Sequence, residues 1–404
     1  MNPPLTSVWK RVVPYITAVL GMLAVMLVAA AFTGQWPWLY NFYNSYLLQA
    51  CAWLDGRLDL GRNYDWLELA IVNGKYYVSF PPFPSYVLLP FAAILRHTAP
   101  DNAIAWAVTL LGVLYAVRLY RLMRGDDHSV FWVLFLYLGT GYLFISMNGW
   151  VWFIAQTMCF TLSLMALTHA RQGQGGIALA CWACAVGCRP MAALYLPVLV
   201  WLLWSDKGTR TVWQWIRRRW YWAVPTLLIA GSYMALNQAR FGSPFEFGHN
   251  YLPEFVRAEE GQFSLSYFAE NLHQLLRLPQ WNEENQRAMF YTIQTQAFWL
   301  INPMVFCAAA AWVSGLIKRR GLPALCMIPA MVAIHVFIIC CHRTLGAWQF
   351  GNRYLLDLLP WLFCGMLVWM PQDDRFVRWS VPFFAWGFAM NAVGTVATYN
   401  LWIF

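Results

Sequence analysis

The chain has 404 residues, of which 60% are hydrophobic and only 11% are charged, and its formal net charge is +9. A soluble domain carries roughly 25% charged residues, so this composition excludes one. Several apolar runs approach the roughly 20 residues that cross a bilayer as a helix. We therefore predict an all-α polytopic membrane protein that forms a single transmembrane domain over residues 1–404. Basic cytoplasmic loops account for the positive charge better than a nucleic-acid partner does.

The N-terminus carries Lys10 and Arg11 ahead of the first apolar run, and no small-residue cleavage site clearly follows. This pattern favours a retained membrane anchor whose N-terminus lies in the cytoplasm. Hydropathy predicts about eleven transmembrane helices along the chain. Their predicted ranges are 12–33, 103–122, 130–147, 149–169, 175–188, 190–204, 219–237, 296–316, 324–342, 354–371 and 378–398.

A further apolar run, residues 82–96 ("PFPSYVLLPFAAILR"), is short and rich in proline for a membrane span. The positive-inside rule decides its place in the topology. If this run does not cross, most of the 27 basic residues lie in cytoplasmic loops. If it crosses, every later loop inverts and the basic clusters face outward. We therefore predict a re-entrant or juxtamembrane helix on the outer face, with the C-terminus outside.

This topology leaves three outer segments, residues 34–102, 238–295 and 342–354. The first begins with an amphipathic run rich in tyrosine and tryptophan, residues 40–54, which is expected to lie in the membrane interface. It then contains the unusual stretch "NGKYYVSFPPFPS", residues 73–85, where a polar turn leads into aromatic residues and a Pro-Pro pair. Because the mixed charges of the chain gather in these segments, we predict a functional site on the outer face.

The first outer segment concentrates acidic residues in "DGRLDLGRNYDWLE", residues 55–68. A partly desolvated carboxylate can act as general base toward a hydroxyl acceptor, or it can hold a divalent cation. The alternative is that each acid pairs with a neighbouring cation on a solvated loop. For the group as a whole we favour a functional role. The candidate acids are Asp59, Asp65 and Glu68, with Asp55 as a further member, and the neighbouring cations are Arg57, Arg62 and Lys75.

Basic residues from several outer segments are candidates for binding a phosphate group. Arginine matches phosphate oxygens with two parallel hydrogen bonds, and lysine serves as a point charge. The alternative is that these long side chains reach the membrane interface without a ligand. Arg353 and Asp357 are one helical turn apart, so they are also candidates for an ion pair. The full set of candidate substrate-binding residues is Lys75, Arg57, Arg62, Tyr77, Arg240, Glu246, His249, Arg343, Arg353 and Asp357.

Three stretches carry a resemblance to a known family: "WLDGRLDL" with "ELAIVNGKYYVSFPPFPSYVLLPF" (53–91), "RFGSPFEFG" (240–248) and "FGNRYLLDLLP" (350–360). With the overall layout, they resemble bacterial membrane glycosyltransferases of the GT-C superfamily, distantly similar to protein O-mannosyltransferases and lipid A aminoarabinose transferases. The resemblance implies transfer of a sugar from a polyprenyl-phosphate-linked donor to a glycan, lipid or protein acceptor. It also implies an acidic base in the first outer loop and cations that hold the lipid phosphate.

The chain departs from the family pattern after its first span. Better-known members carry an acidic pair there, whereas this chain has Asn41 and Phe42. Asparagine cannot act as a base, so any catalytic acid must come from further along the loop. Relatives with the "NGKYYVSFPP" ending tend to place an acid five residues before the Asn-Gly turn, which corresponds to Glu68. We therefore rank Glu68 and Asp65 first, with Asp59 next.

Two further departures bear on cations. Phe80 precedes the Pro-Pro pair where related enzymes often have lysine or histidine, and Lys75 is expected to supply that charge. The stretch "SMNGWVWF", residues 146–153, lacks the second acid seen in some members. Some members need a divalent cation such as Mg²⁺ or Mn²⁺, and others do not. For this chain a metal-independent mechanism is favoured, and no residue is assigned as a metal ligand.

A transporter or flippase of lipid-linked glycans is the main alternative function. Such a protein is expected to show two matching halves with ionisable residues near the membrane midplane. The sequence shows no internal symmetry, and charge within the spans is sparse. A polymerase or ligase of lipid-linked glycans is a second alternative with a similar substrate class. We expect a glycosyltransferase in the bacterial cytoplasmic (inner) membrane, with its active site on the outer, periplasmic face.

Overall fold

Helices make up most of the described chain, and the described strands form two short antiparallel hairpins. The structure is a computed structural model, and it describes residues 5–204, 211–282, 287–289, 297–346 and 348–401. Each strand has only three or four residues. The predicted all-α class of a polytopic membrane protein is therefore confirmed.

The elements follow one another in a mainly helical order with short connections. The first are α1 (Leu5–Thr33), α2 (Ser45–Leu54), β1 (Leu69–Val72), β2 (Lys75–Val78), α3 (Phe83–Leu95), α4 (Asp101–Met123), α5 (Ser129–Leu138) and α6 (Tyr142–Ser146). The next are α7 (Val151–Arg171), α8 (Gly175–Val186), α9 (Leu196–Trp204), α10 (Val212–Arg219), α11 (Ala223–Phe241), α12 (Pro253–Val256) and α13 (Phe268–Leu276). The last are β3 (Gln280–Asn282), β4 (Arg287–Met289), α14 (Phe298–Ile301), α15 (Met304–Ile317), α16 (Leu322–Cys340), α17 (Leu359–Trp369) and α18 (Asp374–Tyr399).

The predicted membrane spans fall on helical segments of the described chain. Some of these helices are long and apolar enough to cross a bilayer alone, and the remaining spans fall on shorter apolar helices or on consecutive helix pairs. The count of eleven crossings stays a prediction. Lys207 and Arg210, two basic residues of the predicted topology, lie outside the described residues. The long helices cover Trp9–Thr33, Asp101–Met123, Val151–Arg171, Pro323–Cys340 and Asp374–Tyr399.

The apolar run 82–96 forms the short helix α3 of 13 residues. At about 1.5 Å per residue, α3 is about 20 Å long, which is short of the roughly 30 Å hydrocarbon core of a bilayer. It packs against α2, because the Ser85 hydroxyl donates to the backbone oxygen of Tyr46 at 3.0 Å. Helix α2 itself begins at Ser45, later than the predicted amphipathic run. The short helix was predicted, and its place on the outer face stays a prediction.

Helices α4 and α7 pack closely at a glycine. A Cβ atom on Gly112 would lie 2.4 Å from the Tyr137 hydroxyl and 2.5 Å from Thr161 Oγ1, so a larger residue does not fit. The Thr161 hydroxyl donates to the backbone oxygen of Val108 at 3.0 Å. Small residues at such crossings let membrane helices approach closely and gain dispersion energy. This packing fixes α7, whose first turn forms part of the candidate site.

Candidate functional site

A cavity of about 640 Å³ lies where all three predicted outer segments meet the first turn of α7. Charged and aromatic side chains line it, which is typical of a ligand site that needs both orientation and exclusion of water. The acids are Glu68, Glu246 and Glu254, the cations are Arg189, Arg343 and Arg353, the histidines are His249 and His342, and the tryptophans are Trp152 and Trp348.

A β-hairpin places Glu68 at the cavity. Strands β1 and β2 are joined by Asn73 and Gly74, which both have positive φ angles of 51° and 73°. Two successive residues with positive φ favour the tight hairpin turn for which Asn-Gly is the preferred sequence. Glu68 directly precedes β1, and the Ser79 hydroxyl beyond β2 donates to the Glu68 backbone oxygen at 3.1 Å. The Glu68 backbone is therefore fixed by its direct connection to β1 and by the hydrogen bond from Ser79, the residue after β2.

The Glu68 carboxylate faces the cavity and has one defined hydrogen bond. The indole Nε1 of Trp152 donates to Glu68 Oε2 at 3.2 Å. Glu68 is an exposed residue at the edge of the cavity, yet desolvation by the protein atoms around its carboxyl raises its pKa, and the nearby charge of Glu254 raises it further. The Trp152 hydrogen bond and the positive charge of Arg353 lower this pKa, but desolvation is the largest effect. A carboxylate whose pKa is raised in a cavity is a candidate general base.

Arg353 presents an unsatisfied guanidinium group to the same cavity. The residue is only 3% exposed, and neither its Nε nor its Nη1 has a hydrogen-bond partner. Its backbone N–H donates to Gln349 Oε1 at 3.0 Å, and its guanidinium carbon lies 4.7 Å from the centre of the Tyr354 ring. A buried arginine without partners is costly unless an anion completes its hydrogen bonds. The geometry therefore suits a bound anion.

Arg189 lies beside Arg353 and is held by a network of three segments. Its Nε donates to Asp357 Oδ2 at 2.9 Å, and its guanidinium carbon lies 5.0 Å from the centre of the Tyr354 ring. Gln156 of α7 donates to the other oxygen, Asp357 Oδ1, at 2.8 Å. Asp357 thus pairs with Arg189 across the fold, and Arg353 is left directed at the cavity.

The loop after α11 forms another wall. Glu246 accepts hydrogen bonds from the backbone N–H of Gly248 and from Asn250 Nδ2, both at 2.6 Å. Glu246 therefore organises the turn as well as lining the cavity. His249 packs with its Nδ1 3.3 Å from the backbone oxygen of Ser79, which connects this loop to the β1–β2 hairpin.

The histidines of the cavity are neutral near pH 7. Burial lowers the pKa of His249 to about 4. Burial also lowers the pKa of His342, whose Nδ1 lies 2.6 Å from the backbone oxygen of Thr344. Neither ring therefore adds positive charge to the cavity at neutral pH, and the arginines provide it.

Arg343 is exposed at the cavity mouth, and its guanidinium donates to the backbone oxygen of Glu254. Burial raises the pKa of the Glu254 carboxyl, and the charge of Arg343 lowers it. These two residues connect the third outer segment to the second. They place one cation and one anion on the side of the cavity that is open to solvent.

Two of the acids from the 55–68 stretch lie away from the cavity, where Asp59 is half-buried and Asp65 is exposed. Asp59 accepts a hydrogen bond from the backbone N–H of Gly61 at 2.8 Å, and Asp65 accepts one from Asn63 Nδ2 at 2.6 Å. Both bonds are local turn contacts of the kind that short polar side chains make in loops. Among the described acids of this stretch, Glu68 is the one that lines the cavity.

Several predicted cations also lie outside the cavity. Arg57 pairs with Asp55 at 3.5 Å, and Arg62 lies over the ring of Tyr64 at 4.6 Å. Lys75 is exposed at the hairpin turn. These side chains make local contacts and do not converge with Arg353.

Arg240 and Tyr77 are buried beneath the cavity wall and do not line it. Arg240 donates to the backbone oxygen of Val78 at 3.1 Å, and the Tyr77 ring packs against Phe241 at 5.5 Å. Both contacts join β2 to the end of α11. In this structure their role is to hold the hairpin that carries Glu68.

Asn41 stands where better-known relatives have an acid, and it also lies outside the cavity lining. It is buried, and its Nδ2 donates to Asp101 Oδ2 at 3.0 Å. Its Oδ1 accepts a hydrogen bond from the backbone N–H of Tyr43 at 2.9 Å. Asn41 therefore joins the start of α4 to the segment before α2.

The prediction omitted several residues that line the cavity, above all Arg189, Trp152 and Glu254. Arg189 had a sequence signal, because an arginine before a proline interrupts two short apolar runs. An ionisable residue at such a break is a functional candidate. Trp152 had no distinguishing signal in a chain with 25 tryptophans.

The side chains of the cavity do not suit a divalent cation. No group of three His, Cys, Asp or Glu side chains converges anywhere in the described ranges. Hard cations such as Mg²⁺ prefer several oxygen ligands, and the cavity combines few carboxylates with three arginines.

Comparison of the sequence with family models and with curated proteins finds no match. Among solved structures, ArnT from Cupriavidus metallidurans is similar in its apo state, with a TM-score of 0.53 and 14% identity. The same enzyme bound to undecaprenyl phosphate gives a TM-score of 0.53 and 15% identity. Each comparison covers 94% of this chain and 76% of ArnT. An Archaeoglobus fulgidus oligosaccharyltransferase in the apo form gives a TM-score of 0.45 at 12% identity, over 94% of this chain and 56% of that one.

At 14–15% sequence identity, the similarity to ArnT supports a shared fold and nothing finer. The overlap with ArnT extends over nearly the whole of this chain. The fold that the resemblance of the three sequence stretches implies is thus confirmed. This chain is a multi-pass membrane protein whose fold is similar to that of ArnT.

Proposed function

We propose that this protein transfers a sugar from a polyprenyl-phosphate-linked donor to an acceptor at the outer face of the cytoplasmic membrane. The observation that carries the proposal is that a buried, unpartnered Arg353 and the carboxylate of Glu68 face one cavity. An ArnT structure of this fold contains undecaprenyl phosphate, which supports a polyprenyl phosphate as the carrier. The acceptor is a hydroxyl group of a glycan, a lipid or a protein.

Arg353 and Arg189 bind the donor phosphate in this proposal. The free Nε and Nη1 of Arg353 can each donate to a phosphate oxygen, which removes the cost of their burial. Arg189 adds a second positive charge, and its ion pair with Asp357 keeps it in place. As the donor bond breaks, negative charge grows on the phosphate, and positive groups already in position stabilise that charge.

Glu68 acts as the general base. Trp152 occupies Oε2, so Oε1 is the oxygen that can accept the proton of the acceptor hydroxyl. The acceptor oxygen attacks the anomeric carbon and forms the new glycosidic bond. The bond between that carbon and the donor phosphate oxygen breaks, and polyprenyl phosphate leaves with the electron pair. The proton then resides on Glu68 until it passes to solvent.

The test is sugar transfer by the full chain in lipid nanodiscs, supplied with a set of polyprenyl-phosphate sugars and candidate acceptors. Wild type is compared with Glu68→Gln and with Asp65→Asn. Asp65 is a matched control because it lies three residues away, is exposed and makes a local hydrogen bond. We expect Glu68→Gln to lose transfer while Asp65→Asn retains it.

Two outcomes would overturn the proposal. Full transfer by a well-folded Glu68→Gln protein would remove Glu68 from the chemistry. If neither transfer nor donor hydrolysis occurs with any sugar, but the protein moves a labelled lipid-linked sugar across proteoliposomes, the transporter alternative is favoured.

A further inference from the structure

A second cavity, of about 490 Å³, lies at the far end of the helix bundle from Glu68. Helix α7 contributes Trp152 to the first cavity at its beginning and Arg171 to the second at its end. These residues are about 30 Å apart along the helix at 1.5 Å per residue, which equals the hydrocarbon thickness of a bilayer. The two cavities therefore lie at opposite membrane surfaces.

The walls of the second cavity are strongly basic. Its lining contains Arg124 at the end of α4, Arg171 at the end of α7 and Arg320 between α15 and α16. No aspartate or glutamate is among the described residues that line it. Asp126 contacts Arg124 Nε at 3.2 Å from outside the lining and compensates part of its charge. Arg171 also has an interaction within the protein.

Two of these arginines are anchored on the same short segment. Arg124 is 8% exposed, and it donates from Nη1 to the backbone oxygen of Met370 at 3.0 Å and from Nη2 to that of Pro371 at 2.8 Å. Arg320 donates from Nη1 to the same Met370 oxygen at 3.3 Å. The segment after α17 thus holds two like charges close together. An anion in the cavity would relieve their repulsion, which is strong where solvent screening is weak.

Apolar side chains complete the wall beside the arginines. Trp201 and Leu202 of α9 and Leu367 and Val368 of α17 line the same space. Arginines at the membrane surface next to an apolar wall between helices suit the phosphate and acyl chain of an anionic lipid. An inorganic phosphate or a soluble phosphate ester would use the arginines alone.

We propose that this second cavity binds a phosphoryl group, with an anionic phospholipid headgroup as its source. The site is separate from the sugar-transfer cavity and does not depend on the function proposed for it. A guanidinium group has five N–H donors, so an arginine that already has a partner can still donate from a remaining N–H to a phosphate oxygen. A lipid bound here would join α4, α7, α9 and α17 at one membrane surface.

The experiment is native mass spectrometry of the full chain, released from detergent after titration with phosphatidylglycerol or with phosphatidylcholine of the same acyl chains. Wild type is compared with Arg320→Gln and Arg171→Gln. Arg320→Lys keeps the charge, and Arg378→Gln is a matched control because Arg378 is exposed on α18 outside the cavity. Thermal unfolding in each lipid confirms that every variant is folded.

We expect wild type, Arg320→Lys and Arg378→Gln to retain phosphatidylglycerol in preference to phosphatidylcholine. Each glutamine substitution in the cavity should weaken phosphatidylglycerol binding by roughly five-fold, the effect of one arginine near an anionic surface. Displacement of phosphatidylglycerol by millimolar glycerol 3-phosphate would support the phosphoryl site. Binding of glycerol 3-phosphate without any preference for phosphatidylglycerol over phosphatidylcholine would instead identify a soluble ester as its source. Equal retention of both lipids, or equal binding by wild type and both glutamine variants, would overturn the proposal.

Discussion

Arg189 and Asp357 are 168 positions apart in the chain, and their side chains form an ion pair at 2.9 Å beside the candidate site. Asp357 is 1% exposed and Arg189 is 18% exposed at the side chain, so water screens the pair weakly. The pair joins the break between α8 and α9 to the segment that begins at Arg353. It therefore both stabilises the fold and fixes a positive charge at the cavity.

Asp357→Asn should destabilise the protein, because it leaves the Arg189 charge without its buried partner. Breaking a buried ion pair by removing one side costs about 3–5 kcal/mol. The measurement is thermal unfolding of the purified protein in nanodiscs, with Asp65→Asn as the exposed control. Equal unfolding temperatures for the two variants would show that the pair contributes little.

Arg353→Gln should weaken binding of polyprenyl phosphate. The lost hydrogen bonds to a charged phosphate are each worth about 1.5–3 kcal/mol, or roughly ten-fold to over one hundred-fold in the dissociation constant. Arg353→Lys should recover part of the lost affinity, because lysine restores the positive charge but cannot form the bidentate hydrogen bonds of arginine. Arg257→Gln, on an exposed position outside the cavity, is the control for charge alone. Binding is measured by titration with a short-chain polyprenyl phosphate.

Glu68→Gln should lower the rate of transfer by about 10²–10⁴, the usual contribution of a general base. Since the amide keeps the shape and can still accept the Trp152 hydrogen bond, donor binding should change little. The decrease is therefore expected in kcat more than in KM. A variant with unchanged kcat and a higher KM would identify Glu68 as a binding residue.

The pH dependence of transfer should shift in opposite directions in two variants. The base works when it is deprotonated, so the rate falls as pH decreases through the pKa of Glu68, which is raised. Trp152→Phe removes a hydrogen bond that lowers this pKa, and the acidic limb of the profile should move to higher pH. Glu254→Gln removes a charge that raises the pKa, and the limb should move to lower pH.

The control for the pH profile is Glu270→Gln on α13, whose carboxylate contacts Gln274 and does not line the cavity. Its profile should coincide with that of wild type. Shifts in the same direction for Trp152→Phe and Glu254→Gln would contradict the electrostatic account of Glu68.

Gly248→Ala should disturb the loop that covers the cavity more than Gly242→Ala does. Both glycines have positive φ angles, 104° and 72°, a conformation that costs about 1–2 kcal/mol for other residues. A Cβ atom on Gly248 would also lie 2.6 Å from the ring of Phe241, whereas one on Gly242 would meet open space. Thermal unfolding and donor affinity of both variants measure the difference. Equal effects would mean that the loop adjusts without cost.

The fold could be predicted from sequence because its main signals are local. Each of these signals lies within one short stretch of sequence. They are the runs of apolar residues, the basic clusters between those runs and the prolines of residues 82–96. The Asn73-Gly74 turn is another local signal, and it forms a hairpin that positions Glu68. Hydropathy alone did not separate single helices from broken ones, such as the pair α5 and α6 within one predicted span.

The composition of the candidate site could be predicted only in part. Glu68, Glu246, His249, Arg343 and Arg353 were candidates by residue type and line the cavity. The same reasoning selected Arg57, Arg62 and Lys75, which lie outside the cavity. The sequence does not distinguish a charged loop residue that faces solvent from one that faces a cavity.

Charge and hydropathy along the chain were sufficient for the membrane class and for the segments in which a site could form, because transfer of each segment into lipid depends mainly on its own residues. The meeting of Arg189 with Asp357, and of Trp152 with Glu68, depends on packing between segments distant in sequence. The desolvation that raises the pKa of Glu68 arises only when those segments come together. The same is true of the burial that leaves Arg353 without partners for its Nε and Nη1.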